Sequence, residues 1–123
     1  MEGAMDFKTA LQEMLDNVDG SIGAGLVGLD GLVIDQVASG PDFDITVAGA
    51  EYATIIKNAL KASRNFGLGK TGEIMISTEK GFMIMMTVGE EYFAALALGL
   101  DGNLGRGRLE LKKQASKFEQ ALA

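Results

Sequence analysis

Residues 44–66 read DITVAGAEYATIIKNALKASRNF, with no proline and a single interior glycine at Gly49. At about 100° per residue, Ile45, Ala48, Tyr52, Ala53, Ile55, Ile56, Ala59, Leu60, Ala62 and Phe66 fall on one side. The spacing predicts a helix over 44–66, about 34 Å long. Asp44 is its expected N-cap, and Gly67 its expected stop in the left-handed conformation. The apolar arc covers about half of the circumference, wider than the roughly 100° stripe that one core requires. Half a cylinder can meet two surfaces, so one flank is expected on a sheet and the other against a partner. Glu51, Thr54, Lys57, Asn58, Lys61, Arg64 and Asn65 make the opposite, polar face.

Upstream, Phe7, Leu11, Met14, Leu15 and Val18 repeat at helical spacing within Met5–Val18, and Asp19-Gly20 ends that helix. Two strands follow, Ile22–Leu29 and Leu32–Ala38. Asp30-Gly31 between them predicts a two-residue hairpin with positive φ at both central positions. The first strand carries Gly23, Gly25 and Gly28. Glycine weakens a strand, so its repetition implies close packing there, with a crossing helix as the expected occupant.

Downstream lie a short glycine-rich loop and three more strands, Glu73–Thr78, Phe82–Val88 and Tyr92–Leu98, joined by tight turns. The last two are apolar on both faces and are therefore expected to be covered on both sides. The third strand, with Glu73, Ser77 and Thr78, is expected at an edge. Asp101-Gly102-Asn103 caps a final amphipathic helix running to Leu122. The order α-β-β-α-β-β-β-α, with hairpin connections, predicts an α/β fold: a five-stranded antiparallel sheet flanked by helices on both faces, as one domain over residues 1–123.

The chain has 123 residues, a net charge of −6, and no cysteine or histidine. Disulfides, thiolate nucleophiles, Cys/His zinc sites and imidazole catalysis are thereby excluded. The negative charge argues against nucleic acid and anionic membrane as partners. The N-terminus MEGAMDFK lacks the basic start and apolar run of a signal peptide, and no apolar run approaches a membrane span. A cytoplasmic location, no membrane insertion, no cofactor and no enzymatic activity are the expectations.

Two glycine motifs are decoys. Gly67-Leu68-Gly69-Lys70-Thr71-Gly72 matches G-x-G-x-x-G and ends like a P-loop, but Arg64 stands where the P-loop needs its first glycine. Both nucleotide motifs also need a strand before and a helix after, and here the order is reversed. Gly23–Gly28 matches G-x-G-x-x-G inside a strand that leads into a hairpin, again the wrong context. Arg106 and Arg108 sit at the end of a helix that disfavours cations; the readings are surface salt bridges or an anion at the exposed N–H groups.

The glycine-rich first strand turning at Leu29-Asp30-Gly31-Leu32-Val33-Ile34, the long helix entered from an acidic loop, and Asp101-Gly102-Asn103-Leu104-Gly105 opening the last helix together resemble the roadblock/dynein light chain family. The likeness is to its small prokaryotic, MglB-like members and their profilin-like arrangement, and it covers roughly Met5 to Leu122. The resemblance implies a homodimer or heterodimer in which third strands pair edge to edge and long central helices lie side by side. It also implies a regulatory or scaffolding role. Bacterial members commonly partner Ras-like small GTPases, and eukaryotic relatives belong to dynein and lysosomal signalling scaffolds. On that basis the expected dimer interface is Tyr52, Ile55, Ile56, Ala59, Ala62, Ile74, Met75 and Ile76. Lys57, Lys61 and Arg64, spaced i, i+4, i+7, are the expected contacts to the GTPase. A scaffold subunit of a motor-like or polarity complex is the alternative function, and a small-molecule sensor a more distant one.

Overall fold

A computed structural model describes residues 6–123. The elements follow in the order α1 (Phe7–Asn17), β1 (Ser21–Gly28), β2 (Val33–Ala38), α2 (Gly49–Asn65), β3 (Glu73–Ser77), β4 (Gly81–Val88), β5 (Tyr92–Gly99) and α3 (Leu104–Leu122). The strands form one antiparallel sheet in the order β2-β1-β5-β4-β3. β3 is an edge strand, as its polar ends imply, and β2 is the other edge.

The two faces are covered unequally. α1 and α3 lie together on one face, over a core built from Leu11, Met14, Leu26, Ile84, Leu96, Leu98, Leu111 and Phe118. Phe7 and Phe118 meet edge to face there, with ring centroids 5.6 Å apart. Among the described helices, α2 alone packs on the second face, against Val27, Met83, Met85, Phe93, Ala95 and Ala97. The alternation of β5 explains the division: Ala94, Leu96 and Leu98 turn to one layer, Phe93, Ala95 and Ala97 to the other.

Helix ends follow local chemistry. Asp6 caps α1 through Thr9 N–H, and Asn103 caps α3 through Arg106 N–H. α2 begins at Gly49, five residues later than the spacing predicts. The Asp44 carboxylate is committed to a turn: it accepts from Thr46 N–H, the Thr46 hydroxyl and the Gln36 amide. Ile45 N–H donates to the Gln36 side chain, which ties this turn to β2. A side chain engaged in closing its own turn cannot cap a following helix. α2 is therefore about 26 Å long. Its far end is as expected: Gly67 has φ +76°, Gly67 N–H donates to Arg64 C=O and Leu68 N–H to Ser63 C=O, the Schellman pattern.

Two further expectations are corrected. In the β1–β2 turn Gly31 has φ +92°, but Asp30 keeps negative φ. Gly31 N–H returns to Gly28 C=O, and Gly28 N–H donates to Leu32 C=O, so the loop is longer than two residues. The Asp30 carboxylate stabilises it by accepting from Leu32 N–H. The occupant of the glycine stripe is the segment before α2 rather than a crossing helix. A Cβ on Gly23 would collide with the Phe43 ring, and one on Gly25 would lie 3.2 Å from Ile45.

Candidate functional site: the free flank of α2 and the β3 edge

α2 spends only part of its apolar arc on the sheet. Ala53, Ile56 and Leu60 are buried beneath it. Burying an isoleucine or leucine side chain contributes about 1.5–3 kcal/mol, which holds the helix down. Tyr52 and Ala59 are half-buried, Ala62 is exposed, Ile55 is 41% exposed and Phe66 82% exposed. These five residues form a flank that the described chain covers only in part.

This flank runs along the β3 side of the sheet. At its N-terminal end, Tyr52, Val47 and Ala48 line a hollow of about 280 Å³ together with Met83, whose strand partner is Ile76. Farther along, the Thr71 hydroxyl, just before β3, bonds to Ala59 C=O and to the Ser63 hydroxyl at 3.1 and 3.0 Å. Ile74 and Ile76 turn toward α2 and are half-buried; Met75 turns to the other face and is 45% exposed.

The backbone of β3 is half used. Thr87 N–H donates to Gly72 C=O, and Thr78 N–H donates to Gly81 C=O. Bonded positions alternate in an antiparallel ladder, so Gly72, Ile74, Ile76 and Thr78 face β4. The N–H and C=O groups of Glu73, Met75 and Ser77 point outward, free to accept another strand.

Of the expected interface, the structure brings Tyr52, Ile55, Ala59, Ala62, Ile74, Met75 and Ile76 to one side of the molecule. Ile56 is a correction. It is 1% exposed and committed to the sheet, because at about 100° per residue it falls on the buried stripe with Gly49, Ala53 and Leu60, at the edge nearer the free flank. Phe66, which the spacing includes in the arc, is exposed at the C-terminal end of the same flank.

The three basic residues lie on the opposite flank of α2. All are exposed. Arg64 comes within 4.0 Å of Glu90, which Lys70 also approaches at 3.6 Å. Lys57 lines a hollow of about 510 Å³ with Leu32, Ile34, Asp30, Glu90 and Glu91. The ridge is thus edged by carboxylates of the turns, which temper its field. Among the described residues neither Lys57 nor Lys61 is paired with a carboxylate.

The decoys resolve as connectors. Gly67 and Gly69 take positive φ at a helix end, and Lys70 and Thr71 pin the loop to Gly89 and α2. Arg106 pairs with buried Glu110 at 3.1 Å and Arg108 with Glu73 at 3.1 Å, the salt-bridge reading. Among the described residues no group of three or more Asp or Glu could hold a metal ion, and no helix is long and apolar enough to cross a membrane.

A profilin-like sheet with a lone central helix on one face defines a small group of architectures. The Roadblock/LC7 domain matches residues 8–98, and the chain belongs to that family. No curated protein matches it. Among solved structures it is similar to MglC from Myxococcus xanthus, at 30% identity over 94% of this chain and 98% of that one, with a TM-score of 0.67. It is similar in fold to the gliding protein MglB of Thermus thermophilus, at 17% identity over 92% and 85% of the two chains, TM-score 0.84. Profilin II of Acanthamoeba castellanii shares the fold at 16% identity over 94% and 98%, TM-score 0.63.

Proposed function

We propose that this chain is a non-enzymatic, cytoplasmic regulator, one roadblock-type domain, that acts as a homodimer and binds a Ras-like small GTPase. The observation that carries the reading is the pairing of two unsatisfied surfaces on one side of the molecule. The apolar flank of α2 and the outward groups of β3 are adjacent, and each needs a partner of its own kind. A second copy supplies both. Tyr52, Ile55, Ala59, Ala62, Ile74, Met75 and Ile76 form the interface.

Joining two copies there brings both α2 helices to the centre of one broad platform. Lys57, Lys61 and Arg64 of each then flank it, a charged rim around an apolar centre. Membership of the family, and the likeness to MglC and MglB, support a regulatory partner. A regulator shifts a switch only if it binds one state better than the other.

The test is binding of a small GTPase from the same genome, loaded in turn with GDP and with a non-hydrolysable GTP analogue. At least about a tenfold difference in Kd between the two states is expected, a coupling of about 1.4 kcal/mol. Equal affinity for both, or no binding, would leave only a scaffold role. The triple variant Lys57→Glu, Lys61→Glu, Arg64→Glu should slow association and reduce its salt dependence while leaving the dimer intact.

A further inference from the structure

Two large apolar side chains stand in water at the β1–β2 hairpin, on the side of α2 away from β3. Leu32 is 68% exposed and Ile34 43% exposed. Local geometry puts both there. From Leu26 to Val27 the partner on β2 moves from Asp35 to Val33, so Ile34 is the extra residue of a β-bulge. A bulge re-aims a side chain. Val33 packs toward the α2 layer and Val37 in the α1–α3 layer, while Ile34 packs in neither. Leu32 is held out by its backbone: its N–H donates to the Asp30 carboxylate at 3.0 Å, and its C=O accepts from Gly28 N–H at 2.8 Å.

The hairpin is pinned to α2. Gly31, at φ +92°, lies so close that a Cβ on it would stand 3.2 Å from the Ala50 Cα. Ala50, Lys57 and Arg64 repeat every seven residues and so share one flank of the helix. The hairpin closes this flank at Ala50, and the β4–β5 turn closes it at Arg64, through Glu90. Between them lies the hollow of about 510 Å³, where Lys57 faces Leu32, Ile34, Asp30, Glu90 and Glu91. Its walls are apolar and fixed, and its rim carries both signs of charge. Among the described residues Lys57 and Glu91 make no ion pair.

The free flank of α2 and this hollow are on opposite sides of the helix. A second copy seated on the flank leaves the hollow open, and it takes the flank away as an anchor for anything else. Resting on the GTPase reading above, we infer that the GTPase docks in this hollow rather than astride paired α2 helices. Leu32 and Ile34 are its apolar anchor, and the ridge that begins at Lys57 is its rim. The segment that fits is apolar at its centre, with a basic group for Glu91 and Asp30 and an acidic one for Lys57 and Lys61. All of these residues come from one chain. Each chain therefore holds a complete site, and a dimer takes two GTPases.

The probe is a small GTPase from the same genome, loaded in turn with GDP and with a non-hydrolysable GTP analogue. It is titrated against wild type, the double variant Leu32→Ser, Ile34→Ser, and Leu109→Ser. Leu109, 58% exposed on α3 across the sheet, is the control for loss of any exposed leucine. Calorimetry should give one GTPase per chain. The double variant should bind at least about tenfold more weakly, chiefly through faster dissociation, because an anchor sets residence whereas rim charges set encounter. Leu32→Ser alone, at the more exposed position, should change binding in the same direction and keeps the test valid if the double variant melts early. Leu109→Ser should bind as wild type does. One GTPase per two chains, a Leu32→Ser chain with wild-type affinity, or an equal loss in Leu109→Ser overturns the hollow and leaves the GTPase reading standing. No binding by wild type in either nucleotide state overturns both.

Discussion

The two edges of the sheet are treated differently. β2 is guarded. α1 lies against it and sends Lys8 to Asp35 at 3.3 Å and toward the outward Gln36 C=O at 3.5 Å. A register shift between Leu26 and Val27 bends the pair, and the Gln36 side chain is tied to the turn before α2. Bulges, a lysine on the edge and a covering helix are devices that stop a strand from recruiting another. Among the described residues β3 has no bulge and no covering helix, and its one such tie is Arg108 of α3, which meets Glu73, the first residue of the strand, at 3.1 Å. The strand pairs with β4 in unbroken register, its backbone faces outward at Glu73, Met75 and Ser77, and Met75 stands exposed beside them. Within one sheet, then, the chain closes one edge and leaves the other open. The open edge is the one beside the free flank of α2.

The largest effect expected from breaking this contrast comes from proline on each edge. Met75→Pro removes an outward N–H that β4 does not use, so the fold should persist while the dimer Kd rises by at least about a hundredfold, or about 2.7 kcal/mol. Ala38→Pro does the same on β2, since Ser39 N–H bonds to Ile22 and the Ala38 group therefore points away. It should leave the dimer unchanged. Sedimentation equilibrium of both variants settles whether the edges differ; equal behaviour would erase the distinction.

Gly23→Ala tests the guarded side by displacement. The new methyl group collides with the Phe43 ring and pushes on the loop that ties Gln36. Overpacking of this kind costs about 1–3 kcal/mol, so the melting temperature should fall by about 4 °C or more. An unchanged melting temperature would mean that Phe43 is not seated on β1.

Lys8→Ala unties the guard with little cost to stability, within about 0.5 kcal/mol for an exposed pair. Its expected signature is concentration-dependent species larger than the dimer in sedimentation velocity, through β2. If they do not form, the bulge and the Gln36 tie suffice by themselves.

The smallest effect is on pH dependence. The Thr46 hydroxyl, then the Gln36 amide, hold the Asp44 carboxyl below its ordinary pKa of 3.8. A depressed folded pKa gives stability that is fully present above the ordinary value and is lost as the pH falls through the folded one. The difference in urea midpoint between wild type and Asp44→Asn should therefore stay constant above about pH 5 and shrink below 3.8. A difference independent of pH would mean that the ionised form makes no special contact.

Periodicity was enough to reveal the order of elements, the antiparallel sheet and the edge position of β3. Those features depend on neighbours close in sequence: apolar residues every three to four or every two positions, and turns at glycine. The free half of the α2 arc was also legible, because an arc wider than one core can cover signals itself. Three features depended on residues distant in sequence. Asp44 reads as a cap but closes a turn, because Gln36 and Thr46 compete for its oxygens. The glycines of β1 admit Phe43 and Ile45, a choice that only the path of the loop makes. Ile56 and Ile55 are adjacent and chemically alike, yet one is buried and the other meets solvent. The direction from which the sheet approaches α2 decides between them, and that direction is fixed by the packing of Val27, Met83, Phe93 and Ala95 beneath it.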